Sequence, residues 1–222
     1  MPDDGKERPL KRLIGVALAV ASAASVVAQK PQTIRPTLDS SERLNDWTLD
    51  GSGQWSIADG ALVLSTAGTP GGAIRRPAAL AILKSEPFTR VTLELDVRST
   101  APVDLAVRDV NLIVGYESPT RFYYIHLSGR TDAVHNGIFV VADADRRRID
   151  PGTTPPQLKD LAWHRVKVER DPSSGRIDVF VDDFSRPALQ AVDTTIRTGR
   201  VGVGSFDETG EYRNIVVTGT AR

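Results

Sequence analysis

Phe88-Thr-Arg-Val91-Thr-Leu93-Glu-Leu95-Asp-Val97-Arg-Ser99 alternates without a break, with Val91, Leu93, Leu95 and Val97 on one side and Thr92, Glu94, Asp96 and Arg98 on the other. A period of two is the side-chain period of an extended chain that turns one face to a core and the other to water. After residue 28 no segment holds a helical period for more than a turn or two, so this strand sets the class of the chain.

Working outward, Gln54 to Leu64 reads as a hairpin whose two alternating runs meet at Asp59-Gly60, a pair that accepts the positive φ of a tight turn. Trp47 and Trp55 are expected as core anchors, because aromatics bury large areas where a sheet begins. Asn111 to Tyr116 is more continuously apolar and is expected to be covered on both faces. Leu161 to Arg170, Arg176 to Asp182, Gly199 to Phe206 and Tyr212 to Thr218 complete the stronger strand signals. Thr66 to Pro87, with Gly68, Pro70, Gly71 and Gly72, reads as irregular: a plain loop, or a lip over a groove. Roughly a dozen short strands spaced by Gly, Pro and Asp turns predict an all-β protein, a two-sheet antiparallel jelly-roll sandwich.

At the N-terminus Lys11-Arg12 precede a run of Leu, Ile, Val, Ala and small residues from Leu13 to Ala28, with Ala21-Ser22-Ala23 and Val26-Val27-Ala28 as small-residue cleavage sites. That pattern is an export leader. The run is short for a membrane span, which needs about 20 residues, although an uncleaved anchor stays open. The expected organisation is a leader over 1–28, a linker or extended lead-in over 29–43, and one domain over 44–220, exported to a periplasmic or secreted destination without stable membrane insertion after cleavage.

The 222 residues carry 28 basic and 28 acidic side chains. The leader takes Lys6, Arg8, Lys11 and Arg12 against Asp3, Asp4 and Glu7, so the remainder has a net charge near −1. Such a balance offers no general attraction to phosphate backbones, and nucleic acid is not expected as a partner. The absence of cysteine excludes disulfides, thiolate metal sites and thiol nucleophiles.

The unusual chemistry lies between Arg121 and Ile149, two β-rich runs joined by a turn. In the first run Tyr123, Ile125 and Leu127 form the better core face. Phe122, Tyr124 and His126 then face the other way, and exposed aromatics need a reason. One reading is a ligand platform, with sugar rings stacked on Tyr124 or Phe122 while His126 supplies a hydrogen bond or a proton. The other is a second buried layer with the imidazole satisfied by a neighbouring carbonyl. Antiparallel pairing brings the end of the first run near Asn136 and gathers His126, His135, Tyr124 and Arg146 to Arg148. A lyase needs those residue types: a base, a cation or amide to neutralise a uronate carboxylate, and a Tyr or His for the leaving oxygen. His126, His135 and Tyr124 are therefore the catalytic candidates, and Phe122, Asn136 and Arg146 the substrate-binding ones.

Trp55 with Asp59-Gly60, Trp163-His164-Arg165-Val166-Lys167-Val168 leading to Ile177-Asp178-Val179-Phe180-Val181-Asp182, Gly199-Arg-Val201-Gly-Val203-Gly-Ser-Phe206, and Tyr212-Arg-Asn214-Ile215-Val216 resemble the concanavalin A-like, laminin-G-like jelly rolls of bacterial exported proteins. They are nearest to the group with 3-keto-disaccharide hydrolase-like domains. The resemblance implies the sandwich fold and a site on the concave sheet, lined here by Tyr124 and His126. It implies little about activity, since such sandwiches serve as lectins, lyases, hydrolases and spacers. Where hydrolase-like members show an Asn-Ser-Gly segment and a following acid, this chain has Asn111-Leu-Ile-Val-Gly-Tyr116-Glu117, so their activity does not carry over.

Other constellations are weaker. Glu94 and Asp96 share a strand face as paired glycosidase acids do, but Arg98 follows on that face and a solvated exterior explains them. Asp143, Asp145 and Asp150, or Asp207 and Glu208, leave room for a structural calcium ion, though neither set has the full spacing of a calcium loop. Two histidines nine residues apart without a third do not make a zinc site, and no metal or cofactor is expected beyond that calcium. No Gly-x-Ser-x-Gly elbow exists for Ser-His-Asp catalysis. The expectation is an exported protein that recognises, and in one version cleaves, a carbohydrate as a glycoside hydrolase or polysaccharide lyase. The alternative is a non-catalytic envelope module that binds a protein partner or acts as a spacer.

Overall fold

The computed structural model describes Met1 and residues 30–221. The leader expected over 1–28 lies, but for Met1, outside the described residues. Among those residues no helix is long and apolar enough to cross a membrane.

Fifteen strands follow one another: β1 (Gln32–Ile34), β2 (Trp47–Gly51), β3 (Gln54–Ala58), β4 (Ala61–Thr66), β5 (Ala79–Leu83), β6 (Phe88–Ser99), β7 (Asp109–Ser118), β8 (Arg121–Ser128), β9 (Gly137–Ala142), β10 (Arg147–Arg148), β11 (His164–Asp171), β12 (Arg176–Val181), β13 (Leu189–Val192), β14 (Arg200–Ser205) and β15 (Gly210–Ala221). Among the described residues a single 3-10 helix, over Ser41–Asp46, precedes β2. The strands form two antiparallel sheets. One runs β13-β12-β11-β6-β15-β4-β3 with β1 also paired to β15, and the other runs β10-β9-β8-β7-β14-β5-β2. The all-β two-sheet sandwich is thus as the alternation predicts.

Local chemistry explains the pieces. The β3–β4 hairpin turns at Asp59 (φ 52°) and Gly60 (φ 73°), both in the left-handed region that such a turn demands. Strand β6 occupies the residues its alternation marks, and Val91, Leu93, Leu95 and Val97 are all at most 2% exposed. They meet Leu112, Val114, Tyr123, Ile125 and Leu127 of the opposite sheet in the main core, which also takes Trp47 and Trp55.

The structure corrects the reading of Thr66 to Pro87 as wholly irregular. Ala79–Leu83 is a fully buried strand between β14 and β2. Five apolar residues with two alanines carry no period, and the preceding glycines and prolines disguise the strand. The stretch expected as a linker or lead-in is extended at Gln32–Ile34, where it pairs with β15, and Leu38 joins the core.

The seven-stranded sheet has a second apolar face turned away from the sandwich interior. Leu80, Ile82, Ile113, Tyr116, Phe122, Tyr124, Phe139 and Val141 form a separate cluster there, with Ile74 packed against it. The segment from Ala67 to Ala78 crosses this face. Arg76 holds it down through Asp50 of β2 at 3.1 and 2.9 Å, and Tyr116 donates to the same carboxylate. The loop after β9 meets it: Arg146 N–H donates to Arg75 O at 3.0 Å, and Arg75 N–H donates to Asp145 Oδ1 at 2.7 Å.

Candidate functional site

At one end of this covered face the chain gathers ionisable and hydrogen-bonding groups. The register pairs Asn111 of β7 with His126 of β8, His126 with Gly137 of β9, and Gly204 of β14 with Asn111. Residues two apart share a face. Asp109 and Asn111, Tyr124 and His126, Phe139, and Phe206 after β14 therefore stand on the outer side together. Gly202 and Gly204 leave β14 bare there, since a Cβ on either would run into the carbonyl of Ala81 or Ala79.

Asp109 anchors the group. It is wholly buried, accepts from Ser205 Oγ at 2.7 Å and from Phe206 N–H at 2.9 Å, and has His126 Nε2 3.2 Å from Oδ2. Burial alone pushes its carboxyl up, but the nearby imidazole and those hydrogen bonds outweigh it and hold the pKa below the ordinary aspartate value. Asn111 closes the same cluster: with its amide oxygen and nitrogen exchanged, the nitrogen donates to Asp109 Oδ2 at 3.3 Å.

His126 is 2% exposed, and neither ring nitrogen has an aligned hydrogen-bond partner. Its proximity to Asp109 is electrostatic rather than a well-directed bond. The ring lies parallel to Phe206 at 6.1 Å between centroids and meets His135 edge-on at 5.5 Å. His135 is partly exposed and turns Nδ1 to Asp132 at 2.9 and 3.0 Å. The Asp132 carboxyl is desolvated, yet hydrogen bonds from Val134 N–H and His135 lower it to about 2. Asp207 stands over this end of the sheet. Partial desolvation, then the Asp109 charge, raise its carboxyl, while His126, His135 and Arg146 pull the other way. Glu208 is raised in the same manner, against the pull of Arg108.

The sequence-predicted residues divide into three groups. His126, His135, Tyr124 and Arg146 do come together: Arg146 Nη1 donates to the Tyr124 hydroxyl at 2.9 Å, and its guanidinium lies 4.0 Å from the Phe206 ring centre. Phe122, Tyr124 and His126 face away from the sandwich core as the alternation requires, but they are 0%, 0% and 2% exposed. The stacking platform expected at Phe122 and Tyr124 is therefore covered, because the 67–78 segment and the loop after β9 lie on it. The Tyr124 phenol is pushed far up, by burial first, so it stays protonated near neutral pH. Asn136 is corrected from substrate binder to hairpin support. It is buried at φ 50°, and its Nδ2 donates to Thr131 Oγ1, Thr154 O and Pro155 O at 3.1, 3.2 and 2.8 Å. Arg148 is likewise structural, bonded to Asp150 and to the carbonyls of Asp132, His135 and Asn136.

The acids weighed for calcium do not converge. Asp143 serves Thr120 and Arg121, Asp145 serves Arg75 N–H, and Asp150 serves Arg148 and Ile138 N–H. Among the described residues no group of three or more His, Asp or Glu is placed to hold a metal ion. Glu94 and Asp96 lie on the outer face of the other sheet, paired to Arg165 and Arg213.

Asp109, Asn111, Ser205 and Arg75 were not legible as site residues. Asp109 is a charge at the head of an apolar strand, a signal in principle, but its partners arrive only through the pairing of β7 with β8 and β14. Two surface clefts lie elsewhere: one of about 720 Å³ includes Arg90, Glu169, Asp178 and Phe184, and one of about 530 Å³ includes Ile149, Gln190 and Val192.

Among solved structures, the carbohydrate-binding module CBM66 from Bacillus subtilis superposes with a TM-score of 0.58 at 17% identity, covering 77% of this chain and 93% of that one. Winged bean acidic lectin, complexed with methyl-α-D-galactose, gives 0.60 at 13% identity over 87% of this chain and all of that one. Lectin I from Ulex europaeus, in complex with the methyl glycoside of α-L-fucose, gives 0.55 at 11% over 87% and 99%. The fold is therefore the concanavalin A-like jelly roll. No family model and no curated protein matches the sequence.

Proposed function

We propose that this protein is an exported, non-catalytic carbohydrate-binding jelly roll. Its site is the rim of the seven-stranded sheet formed by His126, His135, Arg146 and Asp207. The observation that carries this reading is His126. A buried polar group without a directed partner costs about 1–3 kcal/mol, and such a group beneath a half-open ring of hydrogen-bonding side chains is suited to a ligand hydroxyl or to the water that precedes one. The solved structures sharing the fold include a carbohydrate-binding module and two lectins bound to sugars. The basic-then-apolar leader supports export.

Binding without turnover is favoured by the cover. A general base must come within hydrogen-bond reach of the proton it takes. Tyr124 is sealed beneath Arg146 and does not.

The test is a glycan array followed by incubation with uronate and β-glucan polymers. Retention of a glycan, weakened about tenfold or more in His135→Ala, with no new reducing ends, is expected. If nothing on the array is retained, the carbohydrate reading fails. Retention unchanged in both His126→Ala and His135→Ala places the site elsewhere, and new chain ends make the protein an enzyme.

A further inference from the structure

Five arginines lie in or beside the two segments that cover the seven-stranded sheet: Arg75, Arg76 and Arg146 in them, and Arg147 and Arg148 in the edge strand β10. Three have carboxylate partners. Arg76 holds Asp50 at 2.9 Å, Arg147 holds Asp193 at 3.1 Å and Arg148 holds Asp150 at 2.9 Å. Arg75 and Arg146 differ, for among the described residues neither guanidinium is within ion-pair distance of an acid. Both instead stand over the same ring, Phe206, at 5.3 and 4.0 Å from its centre. Their backbones are tied together, Arg146 N–H to Arg75 O and Arg75 N–H to Asp145 Oδ1, so the pairing of the two cations is built in. Asp145 is occupied by that backbone bond. Asp207 is near enough to feel Arg146 but forms no ion pair with it.

Two like charges that share one ring repel, and the repulsion is relieved when an anion binds to both. Each guanidinium has five N–H donors in a fork that matches planar or tetrahedral oxyanions. Arg146 spends one on Tyr124, which leaves the outer donors free. Phe206, itself buried, is the ring against which both guanidinium groups rest.

We propose that the rim selects glycans carrying an anionic group, a uronate carboxylate or a sulfate ester, which is held between Arg75 and Arg146. The inference rests on the carbohydrate reading and adds the class of sugar. Arg75 acts as the outer contact, because it is exposed and reaches the rim from the covering segment. Arg146 acts as the inner one, positioned by the Tyr124 hydroxyl.

Calorimetric titration of the full chain with oligogalacturonate, dextran sulfate and neutral dextran tests this. Binding of at least one of the two charged polymers, and of dextran more weakly or not at all, is expected. Which charged polymer binds tells carboxylate from sulfate. Arg75→Gln is expected to weaken that binding about tenfold to a hundredfold, the range for a lost charge-assisted contact, and Arg146→Gln to do the same. Arg147→Gln, a change of equal charge at the next residue, whose side chain is already paired with Asp193, is expected to leave it unchanged. Equal losses in Arg75→Gln and Arg147→Gln signify general attraction to polyanions and overturn the subsite. Binding of dextran alone, indifferent to Arg75→Gln, also overturns it while leaving the carbohydrate reading intact. If no glycan binds at all, here or on the array, both fall together. A melting temperature kept by Arg75→Gln shows that any loss is not unfolding.

Discussion

The outer faces of the two sheets are both built from antiparallel strands, yet they have opposite fates. On the eight-stranded sheet the outward residues of β6 and β11 are charged and face water, with Glu94 paired to Arg165 and Lys167 to Glu169. On the seven-stranded sheet the outward residues of β5, β7, β8 and β9 are apolar or aromatic, and the chain returns twice to cover them. A face that is apolar on both sides of a sheet needs a second roof, and the roof brings its own polar groups to the edge where it ends. That edge is where Asp109, His126, His135, Arg146 and Asp207 meet. The proposed site is then a by-product of covering: it lies where the cover stops.

The sharpest way to break this contrast is to remove a side chain under the roof. Phe122→Ala is expected to cost about 3–5 kcal/mol, the range for deleting a buried aromatic ring, measured by urea unfolding. A loss below about 1 kcal/mol, the size of an exposed ion pair, makes the covered face no more than a surface. Asp109→Ala comes next, at about 3 kcal/mol, because it strips Ser205 Oγ and Phe206 N–H of their buried acceptor.

Much of this contrast was legible beforehand, and the limit is instructive. Strict alternation over Phe88 to Ser99 names both the class and the facing of each residue, and the same rule turns Phe122, Tyr124 and His126 away from the core. Facing is a local property and follows from the backbone. Exposure is not local: Tyr124 is sealed by Arg146, 22 residues away, and Ile74 reaches the same cluster from far upstream. Nothing in the Arg121 to Ser128 run announces that cover. The site acids were hidden for the same reason, since Asp109 meets Ser205 across 96 residues. Strand β5 was hidden by composition, as alanine alternating with leucine and isoleucine carries no polar face.

Smaller effects sharpen the comparison. Arg76→Ala removes the paired bonds that fasten the covering segment to β2, and about 1–3 kcal/mol is expected for two bonds to a charged acceptor at a poorly exposed site. Limited proteolysis is expected to begin within residues 67–78 in that variant and not in the unmodified chain. Asp132→Ala gives a pH signature. Its pKa in the fold, about 2, lies below the unfolded aspartate value of about 3.9. The stability it contributes is therefore whole above roughly pH 4 and is lost as pH falls toward 2. Unfolding measured against pH is expected to show a gap between the two proteins at pH 6 that closes by pH 2; a gap independent of pH contradicts the assignment. The least effect is expected on the other sheet, where Glu94→Ala breaks an exposed pair with Arg165 and changes stability by about 0.5 kcal/mol or less.

The chain has three histidines, which makes them reporters of where a ligand lands. His126 and His135 belong to the rim, whereas His164 begins β11 of the other sheet, held between Asp182 at 2.8 Å and Asp160 at 3.2 Å. Imidazole resonances, assigned with single His→Gln variants, can be followed by NMR while the protein is titrated with neutral and uronic oligosaccharides. The account predicts saturable shifts at His126 and His135 with His164 silent. Saturable shifts at His164 with the other two unmoved would contradict it.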